Sequence, residues 1–553
     1  MENCVNIQKT HYRNGRIFTA DEPRWAASLI VDGDKLAYVG DTPTADALAD
    51  GAEIVDLAGA FVVPGFIDAH THLLMMGLSR QKVDLTGARH LREIQSRIRE
   101  AAELNPEAPR ILGRSWLVTA LDGRAPTRQM LDEVEPERPV YVESYDGHSV
   151  WVNTAALGEL GIDEHTPDPM GGQIVRDRAT GVATGMLHET AVSEFVWPML
   201  SSNVSDADAD AALAAAFGNY LADGVTGAID MGLGAEDVAA IKRASDKGGG
   251  TLPLRVAGHW RIIRNASEAE NLRQVQEAVE LSRQFQGDWF SIVGIKLIID
   301  GVIDSCTAAM KDPYADGSHS DPMWDLESLV PVVVAADAAG LQIAMHAIGD
   351  EASSIALNAL EQAVAVNGDR SRRHRMEHVE TITKSDVQRL ARLGVIASMQ
   401  PVHADPALQD NWRAMLGDHR VERAYPWSEL TAAGAVLAFG TDAPTAPHSP
   451  LPNMFIAATR KSATDPTCEP NLPEYALPLA DALAHGTRDA AFSCRWEELT
   501  GQLVKGKAAD FVVLDSDPFT AGNTSLLTTR VRLTVVAGAV RYQQTGAPPA
   551  GVR

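Results

Sequence analysis

Val62-Val63-Pro64-Gly65-Phe66-Ile67-Asp68-Ala69-His70-Thr71-His72 decides the reading of this chain. The apolar run predicts a buried strand, Phe61–Ala69, that ends in two histidines spaced i and i+2. Alternate side chains of a strand share one face, so both imidazoles point the same way. Two neutral imidazoles on one face can grip one transition metal.

Four more candidate ligands lie in or at the ends of short β-like runs. Lys296 lies in Ile292-Val293-Gly294-Ile295-Lys296-Leu297-Ile298-Ile299-Asp300-Gly301. His346 ends Leu341-Gln342-Ile343-Ala344-Met345-His346, His378 lies in His374-Arg375-Met376-Glu377-His378, and Asp442 closes Val436-Leu437-Ala438-Phe439-Gly440-Thr441-Asp442. His346 and His378 are 32 residues apart, and His378 and Asp442 are 64 apart, twice that step. A repeated βα unit of this length sets strand ends on one rim of a parallel barrel. It requires an intermediate strand, which Val395-Ile396-Ala397-Ser398-Met399-Gln400 supplies.

Taken in order, His-x-His, Lys, His, His and Asp resemble the ligand set of the amidohydrolase superfamily. The strings Ile299-Asp300-Gly301-Val302-Ile303-Asp304-Ser305, His346-Ala347-Ile348-Gly349-Asp350 and Asp146-Gly147-His148-Ser149 are similar to the YtcJ-like branch, which includes N-substituted formamide deformylases. The likeness runs from about Asn14 to about Tyr542. One departure is Cys306, where the formamide deformylase pattern carries a basic residue.

Expected barrel strands are Phe61–Ala69, Val225–Asp230, Leu254–His259, Ile292–Ile299, Leu341–His346, His374–His378, Val395–Gln400 and Val436–Thr441. Helices are expected between them, as over Ala209–Ala222 and Glu268–Gln284. This is an α/β chain with a (β/α)8 TIM-like barrel over residues 61–499, whose active site belongs at the strands' C-terminal ends. Residues 1–60 and 500–553 read as strands broken by turns, including an Asp32-Gly33-Asp34 hairpin signal. They are expected to meet in one small β-sandwich. About 150 residues separate His72 from Val225, far more than one βα unit needs. A β-rich insertion at about 85–200 is therefore expected to roof the site. Trp116, Leu117, Trp151 and Trp197 fall in or beside it, in a chain with only 6% aromatic residues. They suggest an apolar lining that would choose the substrate's leaving group.

The six candidate metal ligands are His70, His72, Lys296, His346, His378 and Asp442. His70, His72 and Asp442 would hold the more buried ion, and His346 and His378 a second. Lys296, desolvated and neutral, would capture CO2 as a bridging carbamate. One or two Zn2+ ions suit these donors, with Mn2+, Fe2+ or Co2+ as substitutes. Asp442 is the candidate general base and acid. His148 is a candidate for catalysis and substrate binding, and His403 and Trp116 are candidates for substrate binding. Asp300 and Arg375 would orient the ligands. His11, His165 and His419 read as surface residues, and His485 as structural.

The resemblance implies a metal-dependent hydrolase that cleaves a C–N bond of a small amide, an N-substituted formamide first. Deaminase, ester or lactone hydrolase, and non-catalytic regulator are the alternatives. The net charge of −26 argues against nucleic acid as a partner. No apolar run approaches the roughly 18 residues that span a membrane. Four scattered cysteines and no evident secretory signal fit a reducing cytoplasm. A homodimer is expected.

Overall fold

The computed structural model describes residues 9–544 apart from 122, 146, 170, 410 and 411. Cys4 and Asp146 lie outside the described residues. Eight parallel strands form the central sheet, numbered here in chain order. They are β1 (Phe66–Thr71), β2 (Val225–Leu233), β3 (Arg255–Arg261), β4 (Phe290–Ile298), β5 (Gln342–Ala347), β6 (Arg375–His378), β7 (Ile396–Met399) and β8 (Leu437–Phe439). Each pairs with its neighbours in sequence. β1, β5, β6, β7 and β8 are buried along their whole length, as strands covered on both faces must be. The ends of the sheet meet where Asp442 N–H donates to the His70 carbonyl at 2.7 Å and His72 N–H donates to the Ala443 carbonyl at 2.9 Å. The chain is thus a TIM-like barrel with helices outside it.

Two of those helices, Asp206–Ala222 and Glu268–Gln284, start at Ser205 and Ser267, whose hydroxyls accept backbone N–H groups of the first turn. Among the described residues, no helix is long and apolar enough to cross a membrane.

The first expected strand is two strands. Phe61–Pro64 belongs to a different sheet, pairing antiparallel with Phe511–Leu514 and parallel with Arg16–Phe18. The chain passes into the barrel at Gly65, where a Cβ would overlap the Thr226 side chain. Only glycine fits that crossing, so Pro64-Gly65 works as a joint between the two bodies.

The second body is a sandwich of both chain ends. One sheet has Lys35–Gly40, Ser28–Asp32, Thr10–Arg13 and Glu53–Asp56 in that order. The other has Ala539–Gln543, Val531–Val536, Phe511–Leu514, Phe61–Pro64, Arg16–Phe18 and Trp25–Ala26. Tyr12, Ile17, Leu29, Val62, Phe511, Val513 and Val535 fill the space between them. The hairpin turns at Gly33, whose φ of +66° suits glycine. His11 is not a surface residue. It sits on the central strand of its sheet, fully buried, 3.7 Å from Asp46 of the covering helix Thr42–Leu48.

Between β1 and β2 stands a six-stranded sheet of mixed direction. Its order is Gly172–Arg176, Ala183–Glu189, Ser149–Val152, Val140–Ser144, Ile111–Trp116 and Val83–Asp84. It reaches the barrel mouth at several points. Gly147 packs on Thr445, and Gly171 packs on Met323.

Candidate metal centre

β1 delivers His70 and His72 to one place. Their Nε2 atoms each stand 3.3 Å from the same oxygen, Asp442 Oδ1. His378 joins them, with its ring centroid 4.8 Å from that of His70. One ligand atom each from His70, His378 and Asp442 lies within 4.8 Å of the others, as around a single ion. The buried imidazoles are the right chemistry for that ion only if neutral. Burial, with the neighbouring imidazoles, holds His378 well below its usual range. Burial pushes the Asp442 carboxyl up, but His70, His72 and His378 outweigh it and hold it well below the carboxylate range. A His378 imidazole held neutral beside an ionised Asp442 is a donor pair that fits a divalent cation.

Two of these residues sit in strained backbone. His378 has φ +75° and Asp442 has φ +61°, the left-handed region that non-glycine residues avoid. In β6 the inward positions are Arg375 and Glu377, so strand parity would send His378 outward. The left-handed turn at His378 and Val379 (φ +48°) brings the ring over the mouth. Strain of this kind gathers at functional sites.

A buried network orients the rings. Glu377 Oε2 accepts from His70 Nδ1 at 2.7 Å, which leaves Nε2 as the lone-pair nitrogen. Arg375 clamps Glu377 through two hydrogen bonds, of 2.7 and 3.0 Å, and donates to the Ala69 carbonyl and to Ser398 and Ser493. Burial would raise the Glu377 carboxyl, but Arg375 and His70 hold it well below its usual range. Gln400 Oε1 lies 2.8 Å from His378 Nδ1 and fixes that ring likewise. Glu377 and Gln400 escaped the sequence reading. Their signal was position, since Glu377 shares the inward face with Arg375.

Lys296 is buried on β4. Desolvation lowers its ammonium to about 8, against the pull of Glu377 and Asp442 and with the push of Arg375. Among the described residues no carboxylate comes within 4.0 Å of it. His346 donates Nε2–H to the Gly301 carbonyl at 3.1 Å, so Nδ1 carries its lone pair. Its ring centroid is 4.5 Å from that of His378. Burial and the cationic neighbours hold it well below its usual range. Asp300 lies 3.6 Å from His346 Nε2 and accepts three backbone N–H groups, from Ala309, Ile348 and Gly349. Burial pushes its carboxyl up to about 8.

His148 comes down from the insertion, with its ring 5.4 Å from that of His346. Its Nδ1 bonds Glu189 Oε2 at 2.7 Å, and Thr307 of the barrel mouth donates to Glu189 Oε1 at 2.5 Å. Glu189, with φ +53°, is a third residue that the sequence did not reveal. His403 stacks on His378 at 5.8 Å and lies 3.4 Å from Glu380 and 3.7 Å from Asp442. Burial lowers its imidazole, but the two carboxylates win and raise it.

Trp116 is a correction. It is fully buried in the insertion's own core, its ring 5.2 Å from that of Trp151, and does not line the site. Ile111–Trp116 is an interior strand of the insertion sheet, so this tryptophan packs the roof from within. Trp197 does face a cavity beside the mouth, shared with Met75, Arg114, Tyr145, Gly147 and Thr445.

Residues 53–542 match the model described as "Amidohydrolase family". The chain belongs to the amidohydrolase family. It is a metal-dependent hydrolase acting on carbon–nitrogen bonds. It is 33% identical to the protein LONG AFTER FAR-RED 3 of Arabidopsis thaliana, over 91% of this chain and 86% of that one. It is 31% identical to the putative amidohydrolase YtcJ of Bacillus subtilis, over 89% and 91%. It is 28% identical to N-substituted formamide deformylase of Arthrobacter pascens, over 96% and 98%. Among solved structures, an uncharacterized metal-dependent hydrolase of Pyrococcus horikoshii superposes with a TM-score of 0.74 at 26% identity, over 93% of this chain and 99% of that one.

Proposed function

We propose that this chain hydrolyses the C–N bond of a small N-substituted amide, a formamide first. The observation that carries it is Asp442, an ionised carboxylate shared by His70 and His72 at 3.3 Å each. The likeness to a formamide deformylase over nearly the whole length supports the substrate class. His70, His72, His378 and Asp442 would hold one divalent ion, Zn2+ being best suited to imidazole and carboxylate donors. Lys296 and His346 would help to hold a second. When bound, such an ion supplies Lewis acidity toward a water and a substrate carbonyl.

The residues supply the proton path. Asp442 accepts a proton from the attacking water and returns it to the leaving nitrogen. His148, fixed by Glu189, donates to the carbonyl oxygen as charge develops there. Lys296 is the residue for a carbamate. Its neutral amine would attack CO2, form an N–C bond and release one proton, leaving an anionic oxygen donor that would help hold a divalent ion. An ammonium lowered to about 8 has an appreciable neutral fraction at pH 7–8.

Elemental analysis of the purified protein, with a panel of N-formyl, N-acetyl and cyclic amides scored by amine release, tests this. One or two divalent ions per chain and turnover of N-formyl amines are expected. A metal-free protein active in chelator would overturn the metal reading. A metal-loaded protein that ignores every amide would overturn the substrate class.

A further inference from the structure

Arg261 is the last residue of β3. It stands in register with Lys296 of β4, so the two side chains leave the sheet on the same, inward face. The same face carries His259 two residues earlier, whose Nε2 meets Gln342 inside the barrel. Arg261 therefore rises from the inner wall at the level of the mouth. Two strands away, about 10 Å at the usual strand spacing, β1 presents the histidine pair.

Among the described residues no carboxylate oxygen lies within 4.0 Å of the Arg261 guanidinium, and no side-chain hydrogen bond is made by it. Asp237 and Glu236, at the start of the helix Ala235–Lys247 that precedes β3, are its charged neighbours beyond that distance. Asp237 is already occupied by the Gly234 N–H at 2.8 Å. One contact is made, with Trp197 of the roof, whose ring centroid lies 5.6 Å from the guanidinium carbon. Trp197 also lines the cavity beside the mouth. Elsewhere in this chain the buried guanidiniums of Arg255 and Arg375 are each paired with a carboxylate, and that of Arg460, which also lies over an aromatic ring, donates to backbone carbonyls. Arg261 is half-buried, and a partly desolvated guanidinium with only an aromatic ring beside it is open to a ligand anion.

We propose that Arg261 binds a carboxylate carried by the substrate's amine half, and that Trp197 covers the apolar group beside it. The substrates so defined are N-formyl or N-acyl amino acids with a large apolar side chain. This deepens the proposed function and rests on it for the reaction, though not for the binding site itself. A planar guanidinium suits a carboxylate bidentately, which a lysine ammonium does not.

The experiment has two arms on the metal-loaded protein. The first measures kcat/KM for N-formyl-phenylalanine and for its carboxamide, in the wild type and in Arg261→Gln and Arg261→Lys. The wild type should prefer the acid, and R261Q should lower the acid-to-amide ratio about 10- to 100-fold, the size of a lost charge-assisted hydrogen bond. R261K should retain part of the preference. A ratio unchanged in R261Q, or a wild type that favours the carboxamide, overturns the proposal.

The second arm measures binding by calorimetry, with 3-phenylpropionate against 3-phenylpropanamide. The acid should bind the wild type more tightly, and R261Q should lose that advantage. If no amide is turned over but this loss is seen, the amide-hydrolase reading fails and the carboxylate site stands. If 3-phenylpropionate binds R261Q as it binds the wild type, the carboxylate site fails whatever the reaction.

Discussion

The barrel side of the site and its roof are built differently. On the barrel side the rings of His70 and His378 are braced by side chains from other strand ends. His70 rests on Glu377, Glu377 on Arg375, and Arg375 on Ser398, Ser493 and the Ala69 carbonyl, all buried. On the roof side His148 is braced through one carboxylate, Glu189, which is tied in turn to Thr307. The first arrangement suits fixed ion geometry, where displacement of a ligand by tenths of an ångström matters. The second suits a part that meets substrates of different shape. Damage on the barrel side should therefore remove metal and turnover together, and damage on the roof side should change rate or KM with metal intact.

The largest effect is expected at Asp442. Asp442→Asn keeps the shape and one oxygen but removes the proton acceptor. Turnover should fall at least about 10²- to 10⁴-fold, the usual contribution of general acid–base catalysis. Steady-state kinetics with parallel metal analysis checks it. A variant that keeps its metal and a near-normal kcat would move the proton transfer to another group, His148 first.

Glu377→Gln comes next. The amide cannot take both the His70 proton and the Arg375 clamp as a carboxylate does, so metal affinity should drop about 10- to 100-fold. The variant also leaves Arg375 as a buried charge without its partner, a loss of roughly 3–5 kcal/mol in stability. The sign with pH follows. The Glu377 carboxyl lies well below its usual range in the folded state, so its contribution is present above about pH 4.3 and is lost as pH falls toward the folded value. Acid unfolding of metal-free wild type and variant should accordingly converge at low pH. Parallel curves at all pH values would mean that the clamp does not stabilise the fold.

The same division separates what the sequence discloses from what it hides. Strand periodicity and spacing made the barrel legible, because eight apolar runs that end in chemically distinctive residues repeat along the chain. His70, His72, His378 and Asp442 were legible for the same reason. Pro64-Gly65 marks the joint between barrel and sandwich, but a continuous apolar run masks it, and only pairing partners reveal two strands. Glu377, Gln400 and Glu189 bond side chains up to 307 positions away, a relation that no local pattern encodes. Trp116 misled because an aromatic side chain near a mouth reads alike whether it faces the substrate or the roof's interior.

A smaller effect is expected for Lys296, with a definite direction in pH. If its amine is carboxylated, reactivation of metal-free protein by Zn2+ and bicarbonate should be faster above pH 8 than below. The ammonium sits at about 8 in the metal-free site, and only the neutral amine attacks CO2. Rates that do not respond to bicarbonate at either pH would leave Lys296 as a plain cation, and a single-ion mechanism would replace the pair.

The smallest expected effect is on the roof. Glu189→Gln leaves His148 a partner at Nδ1 but removes the charge that favours Nδ1–H, and the amide, with both a donor and an acceptor, holds the ring in either tautomer. Because the amide can still bond both His148 and Thr307, the roof should stay seated and metal content should not change. The lost preference for one tautomer should lower kcat by about 10-fold or less, below the full value of a general acid or oxyanion donor. KM should hold, because the cavity lined by Trp197 is untouched. Trp197→Ala is the complementary change, expected to raise KM for aromatic substrates with kcat and metal content held. If Glu189→Gln strips the metal as Glu377→Gln does, the roof and the barrel are one rigid unit, and the contrast between them fails.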